Sequence, residues 1–487
     1  MLRIRVLLCA LLACTALGGA ALDTSEAFAS HSQADFFEAS TQLLKPKTRE
    51  HAVAQMKHLG VKAVRIELHW QDVAPGANSA TKPSFEATNP GLYAWGAYDW
   101  AIDKAHELGW KVLLTVTSPV PRWATSNHRA PYDTSPNARD FKEFMTAVGR
   151  HYGSQVALYA IWNEPNDAAF LLPQFNANGQ PVSPRIYRGL YQEGYAGLQA
   201  AGMAHPNVLI GETAPSGYDS LSRRKIREER HEIHDVAPLA FLRGMLCLNA
   251  NYRKAGSCGP LHASGYAHHA YSNRLGPYYR PSGRDEVMIG VLPRLENALN
   301  LAARAGAING GLPIYLTEFG VQSKPNRYLG VSPAKQAEYD AIAEYIAWRD
   351  PRVAAFSQYL LRDDPVGGAP GSGARGGYVG FQSGLEYVNG QPKPLYDAWP
   401  VPLAVFKTGG RYSLWGLVRP AAGVTRVKIL VKTGGSRKYR VLKTVQTDSL
   451  GYWSFSSSTP GTSWRVSWTS PSGVKYEGPP IGANRPV

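Results

Sequence analysis

The sequence predicts an α/β protein, a (β/α)8 TIM barrel with a small C-terminal β-sandwich. Three observations lead there. Between residues 40 and 400, stretches with apolar residues three and four apart alternate with short Val/Ile/Leu-rich runs, the signature of helices packed around a parallel sheet. After about residue 400 that period disappears, and short alternating runs separated by turn signals replace it. The length, 487 residues, exceeds one ordinary domain but suits one large barrel plus an appendage.

In chain order, the first strand is expected near 33–38, and the next runs are 61–68 (VKAVRIEL), 111–117 (KVLLTVT) and 156–162 (VALYAIW). They continue with 207–211 (NVLIG), 263–269 (ASGYAHH), 312–317 (LPIYLT) and 354–360 (AAFSQYL), which makes eight. Helical spacing fills the intervals at 45–59, 96–109, 138–151, 184–203, 236–254, 290–305 and 333–347. Eight strand-helix units over this length fit a closed barrel with long loops. An open doubly wound sheet is the alternative, but no glycine-rich dinucleotide turn follows the first strand. Past Pro400, Val401 and Pro402, which begin the linker, the runs 411–418, 425–432, 438–446, 452–457 and 463–469 predict the sandwich. The expected domains are therefore 30–400 and 401–487, preceded by 1–29.

Residues 1–29 have the form of an export signal. Arg3 and Arg5 open it, an apolar run follows from Val6 to Leu22, and Ala27-Phe28-Ala29 supplies a small-x-small cleavage site. The run is short and broken by Gly18 and Gly19, which disfavours a permanent span. Leu11-Leu12-Ala13-Cys14 resembles a lipoprotein box, an alternative anchor that Leu12 fits poorly. The expected location is outside the cell, with no transmembrane segment once the signal is removed. Cys247 and Cys258 then remain, and two thiols in an exported chain are expected to form a disulfide. No Cys/His spacing suggests a zinc site, so neither metal nor cofactor is expected.

Charge is unevenly placed. Residues 401–487 carry 13 Lys and Arg against Asp448 and Glu477, a net of +11 in a chain whose total is +15. Such a field suits an anionic polysaccharide or cell-wall polymer. The bland alternative is solubility charge on outer strand faces, and no nucleic acid is expected. Trp415, Trp453, Trp464 and Trp468 offer a second kind of surface, stacking platforms for sugar, and plain capping of the barrel is a third role for this domain.

In a barrel, chemistry concentrates at the C-terminal ends of the strands, where side chains converge on one face. Two such ends carry Glu. Glu164 follows the fourth strand in Trp162-Asn163-Glu164-Pro165-Asn166, and Glu318 follows the seventh in Leu316-Thr317-Glu318-Phe319-Gly320. Three strand-helix units apart, the two can face each other across the mouth. A pair of facing carboxyls is what glycosidic bond cleavage with retention requires, one as proton donor and one as nucleophile.

The W-N-E-P-N run resembles the acid/base motif of clan A glycoside hydrolases, such as families 5 and 39, with the nucleophile Glu expected at the end of strand seven. The resemblance covers residues 40–400. It implies a retaining double displacement, with Glu164 as acid then base and Glu318 as nucleophile, and with the export signal the reading is a secreted glycosidase acting on an oligo- or polysaccharide. It assigns Asn163 to the sugar 2-hydroxyl, Arg65 to holding Glu318 ionised, and His269 and Tyr271 to the site lining. His268 is then the core neighbour, because adjacent strand residues point opposite ways. Glu212 is the reserve carboxylate, and Glu67 a hydrogen-bonding group. Trp70 and Trp123 sit where an indole can either stack on sugar or pack beneath loops. The clan's tryptophan at the end of strand eight is missing. Gln358-Tyr359-Leu360 stands there, so Tyr359, or Tyr378 or Phe381 from the glycine-rich loop 367–384, is expected over the site. Loop 216–236 bears Arg223, Arg224, Lys225, Arg227 and Arg230, suited to an acidic sugar or simply to solvent. A transglycosylase with the same carboxylates, and a non-catalytic carbohydrate-binding or cell-wall protein, are the alternative functions.

Overall fold

The structure, a computed structural model, describes residues 33–126, 134–228, 234–365 and 380–485. The expected export signal, Cys14, Arg230 and Tyr378 lie outside these residues, as does the side chain of Arg227. Eight parallel strands close into a barrel in sequence order. They are β1 (Ala34–Glu38), β2 (Ala63–His69), β3 (Lys111–Thr117), β4 (Leu158–Ile161), β5 (Val208–Thr213), β6 (Gly265–His269), β7 (Ile314–Glu318) and β8 (Val353–Tyr359). β1 closes on β8 in register, with Phe37 beside Gln358. Among the described residues no helix is long and apolar enough to cross a membrane.

The barrel floor is a layer of inward side chains, Phe36, Ala63, Leu113, Ala160, Leu209, Ala267 and Ala355, packed on one another. Mixing large and small residues lets the ring fill without voids. Strand side chains alternate with a period of two, so the residues two further along each strand form the next layer up. On β1, β2, β3 and β6 these are Glu38, Arg65, Thr115 and His269, all buried. The floor is apolar and the layer above it is ionic.

One helical expectation is corrected. The stretch 236–254 is helical only over Pro238–Met245. Cys247 and Tyr252 adopt positive φ, which a helix cannot contain, and Cys247 is bridged to Cys258.

Seven further strands follow. β9 (Leu403–Thr408), β10 (Arg411–Leu417) and β13 (Tyr452–Ser457) form one sheet. β11 (Arg426–Lys432), β12 (Arg440–Gln446), β14 (Ser463–Thr469) and β15 (Lys475–Glu477) form the other. The inner faces share one core, with Tyr412 and Trp464 ring centroids 4.8 Å apart. Trp415, Trp453, Trp464 and Trp468 are all buried, which rules out their use as open sugar platforms.

The sandwich is built onto the barrel rather than strung from it. Ala404, Phe406, Trp415, Leu417 and Tyr452 pack with Ile342 on the helix Pro333–Arg349. The Arg419 guanidinium lies 3.6 Å from the Trp399 ring centre, 3.2 Å from Asp35, and in contact with Glu344. Tyr476 donates to the His58 carbonyl at 3.0 Å. Asp35 belongs to the start of β1, and His58 to the end of the helix that leads into β2. Both mark the N-terminal end of the barrel, so the sandwich lies on the side away from the strand ends that carry Glu164 and Glu318.

Candidate active site

At the C-terminal end of β4 the chain leaves the extended conformation abruptly. Trp162 and Glu164 have φ of 71° and 36°, a left-handed backbone that costs a non-glycine residue about 1–3 kcal/mol. Neighbouring contacts hold this conformation. The Trp162 indole is buried, edge-on to Phe141, and donates to the Phe170 carbonyl at 2.9 Å. The backbone N–H of Asn163 donates to Thr117 Oγ1 at 3.0 Å, and that of Glu164 to the Glu212 carbonyl at 3.0 Å. Asn166 acts as a clasp. Its amide donates to the carbonyls of Ala214 and Val236 at 3.1 and 2.8 Å, and its oxygen accepts from Ala214 N–H at 2.7 Å. The motif therefore ties the β4 exit to the β5 exit and turns Glu164 toward the mouth.

β5 contributes through an irregularity. Gly211 has φ of 110°, and a Cβ there would lie 2.7 Å from the Ala267 carbonyl oxygen. The pairing with β6 slips between Gly211 and Thr213, which swings Glu212 into the ionic layer.

Arg65 is the hub of that layer. Nη1 donates to Glu318 Oε1 at 2.7 Å and also contacts Glu38. Nη2 donates to Asn163 Oδ1 at 2.8 Å and to Glu212 Oε2 at 2.9 Å, with Glu67 at 3.3 Å. Nε reaches Thr115 Oγ1 at 3.1 Å and Glu212 Oε1 at 3.2 Å. On the far side, Tyr271 donates to Glu318 Oε2 at 2.8 Å. His269 Nδ1 lies 2.7 Å from Glu164 Oε1 and 3.5 Å from Glu318 Oε2. One oxygen or nitrogen each from Glu164, His269 and Glu318 all lie within 4.8 Å of one another.

Burial sets the protonation of the site. Desolvation pushes the Glu164 carboxyl well above its usual range, and the facing Glu318 pushes it further. Desolvation also carries Glu318 up to about 8, against the pull of Arg65. The expectation that Arg65 keeps Glu318 in the ordinary ionised range is thus corrected, because one guanidinium is shared among four carboxylates. Burial, together with Arg65 and His268, holds His269 well below the usual imidazole range, so it is neutral. His268 points away, to Thr213 Oγ1 and the Val287 carbonyl, both at 2.9 Å.

Of the residues singled out in the sequence, the structure brings together Glu164, Glu318, Asn163, Arg65, His269, Tyr271, Glu212 and Tyr359. Four of those singled out are committed to contacts within the protein and present no open surface to a sugar. Arg65 and Glu212 are 0% and 1% exposed and are spent on each other. Trp70 and Trp123, 0% and 4% exposed, pack edge-on in the core, with Trp70 stacked on Phe144 at 5.2 Å. Helical side chains of residues 138–152 fill the space under these loops and draw the indoles inward. Where the clan's tryptophan is missing, Tyr359, Tyr271 and Phe381 form a wall, with Phe381 5.2 Å from Tyr359 and 6.0 Å from Tyr271. Phe381 is 40% exposed, the open ring of the three. The basic loop after β5 includes a short helix, Arg223–Glu228, with Arg223 and Arg224 exposed and Lys225 over the Tyr218 ring. Glu38, Thr115 and the clasp Asn166 were missed. The strand-end rule would have found Glu38, the last residue of β1, and Asn166 closes the W-N-E-P-N motif, but nothing local announces Thr115.

Residues 27–194 match the family described as Cellulase (glycosyl hydrolase family 5), a span that includes Glu164. No curated protein matches the chain. Among solved structures, a glucosidase from Croceicoccus marinus superposes with a TM-score of 0.51 at 10% identity, covering 90% of this chain and 95% of that one. A β-glucosidase from Pyrococcus furiosus gives a TM-score of 0.43 at 15% identity over 72% and 83% of the two chains. An endo-β-1,4-mannanase from Thermotoga petrophila gives 0.38 at 11% identity over 94% and 98%. The first of these is a likeness of fold.

Proposed function

We propose that the chain is a clan A glycoside hydrolase that cleaves its glycan by a retaining double displacement, with Glu164 as acid/base and Glu318 as nucleophile. The observation that carries this reading is the spacing of the pair. An oxygen of Glu164 and one of Glu318 lie within 4.8 Å, which suits direct attack at about 5 Å and leaves no room for a water between sugar and base.

In the first step Glu318 attacks C1 while Glu164 gives its proton to the departing glycosidic oxygen. The C1–O bond breaks, and the sugar is held as an ester of Glu318. In the second, the Glu164 carboxylate takes a proton from water, the water oxygen bonds to C1, and Glu318 leaves as carboxylate. Glu164 is suited to the first role because burial keeps it protonated, and Arg65 and Tyr271 grip Glu318 by both oxygens. The Asn163 oxygen is taken by Arg65, which leaves its NH2 to donate to a sugar hydroxyl. Glu164→Gln tests the assignment. Hydrolysis of a natural glycan should fall by about 10²–10⁴, while a dinitrophenyl glycoside, whose leaving group needs no proton, should still release its phenol in a burst. Full activity on both would sink the assignment. Product sizing with and without an added sugar acceptor separates hydrolysis from transfer.

The substrate is read as an extracellular oligo- or polysaccharide, the protein being exported through residues 1–29. For the C-terminal sandwich we favour an anionic glycan or wall polymer as partner. Arg426, Lys428, Arg437, Lys438, Arg440 and Lys443 are exposed on β11, β12 and their connection, without an ion pair among the described residues. Retention of the whole protein on polygalacturonate, lost with salt and with the double change Lys428→Glu/Lys443→Glu, supports this. Equal retention of both proteins rejects it.

A further inference from the structure

The ionic layer holds more negative groups than its one cation can balance. Glu38, Glu67, Glu212 and Glu318 all contact Arg65, with Glu164 close by, and His269 is neutral. Protons must therefore reside on some of these carboxyls, and their hydrogen bonds distinguish which.

Glu212 meets Arg65 with both oxygens, at 3.2 and 2.9 Å, and accepts the Thr115 hydroxyl at 3.1 Å. Every one of these contacts comes from a donor, which is the arrangement of an ionised carboxylate. Glu38 touches Arg65 through Oε2 alone, on the same Nη1 that serves Glu318, and has Glu67 and Glu318 as its charged neighbours. Both carboxyls are buried and both are raised by desolvation, so what separates them is their donors, three contacts for Glu212 and one for Glu38 among the described residues.

We propose that Glu212 is a positioning residue that acts as the fixed counter-ion of Arg65, and that Glu38 is its uncharged companion. Together they set how much negative charge the nucleophile can carry. The inference rests on the reading of Glu318 as nucleophile but concerns residues that no sugar reaches. Glu212 takes two of the guanidinium's contacts, so Arg65, although 2.7 Å from Glu318, pulls on it less than an unshared guanidinium would. The groups facing Glu318 are Arg65 and Glu67 from β2, Glu38 from β1, Glu164 after β4, Glu212 from β5, His269 and Tyr271 at the end of β6, and Tyr359 from β8. Only Arg65 is cationic. Freeing its charge is the one local change that would strongly favour ionised Glu318.

The test is the acid limb of kcat/KM on a nitrophenyl glycoside that the wild-type enzyme hydrolyses. Glu212→Gln keeps the shape and part of the hydrogen bonding but removes the charge, and should move the limb at least one pH unit lower. Glu38→Gln exchanges one neutral group for another, and its limb should stay within a few tenths of a unit. A limb unmoved or raised in Glu212→Gln, or lowered as far in Glu38→Gln, overturns the proposal. If Glu212→Gln does not fold, Glu212→Ser removes the same charge with a smaller group and should lower the limb likewise. A readout independent of turnover is the carboxyl ¹³C resonance lost in Glu318→Gln. If it titrates lower in Glu212→Gln while activity does not depend on Glu318, the charge relation stands and the catalytic reading fails.

Discussion

His269 Nδ1 lies 2.7 Å from Glu164 Oε1, and because burial keeps the imidazole neutral, the contact is a hydrogen bond and not an ion pair. It orients the carboxyl without drawing its proton into a charged pair. Removing it with His269→Ala should lower kcat on a natural glycan by about 10–100-fold, the worth of a buried hydrogen bond to an ionisable group. A dinitrophenyl glycoside should suffer much less in its first step. Equal losses on both would show that the histidine acts elsewhere.

The pH profile should be displaced upward. Glu318 must be ionised to attack, and its carboxyl is raised to about 8 in the free enzyme, so kcat/KM should climb as pH rises through that value. Glu164 must be protonated, and burial raises its carboxyl well above the usual range, so the alkaline limb is displaced upward as well. The optimum is expected at neutral to alkaline pH. A peak near the ordinary carboxylate values, about 4–5, would contradict the burial described here.

Phe381 and Trp70 should separate binding from stability. Phe381→Ala removes the exposed ring of the wall beside Tyr359, and should raise KM roughly tenfold, with thermal stability unchanged, if the ring stacks on sugar. Trp70→Ala empties a core position stacked on Phe144, and should cost about 3–5 kcal/mol of stability. Kinetics and thermal melts on both variants check the contrast.

Asp340 predicts a dependence of stability on pH. It lies at the seam with the sandwich, 2% exposed, with no hydrogen-bond partner for Oδ1 among the described residues, and burial raises its carboxyl to about 7. The folded chain therefore keeps this proton to higher pH than the unfolded chain. Its contribution is complete below about pH 4 and is lost as pH rises through about 7. Asp340→Asn stays neutral throughout. Its Tm should exceed that of the wild type by several degrees at pH 8, and the gap should close toward pH 4. A constant gap would mean a packing effect.

The barrel, its strand ends and the facing pair Glu164 and Glu318 could be read from the sequence, because strand-helix alternation and the position of a residue at a strand end are local properties of the chain. The apolar spacing of the sandwich strands β10–β14 was legible for the same reason. β9 was hidden by the Pro400–Pro402 linker signal. Only the tertiary structure could decide which way side chains face across the closed barrel. Trp70 and the sandwich tryptophans have the composition of sugar platforms, yet neighbouring helices and sheets cover them, while Phe381 stays open at the rim. The charge on Glu318 was equally out of reach. It depends on Arg65 being divided among carboxylates from β1, β2, β5 and β7, residues as far apart as Glu38 and Glu318 in the chain, which meet only because the sheet closes on itself.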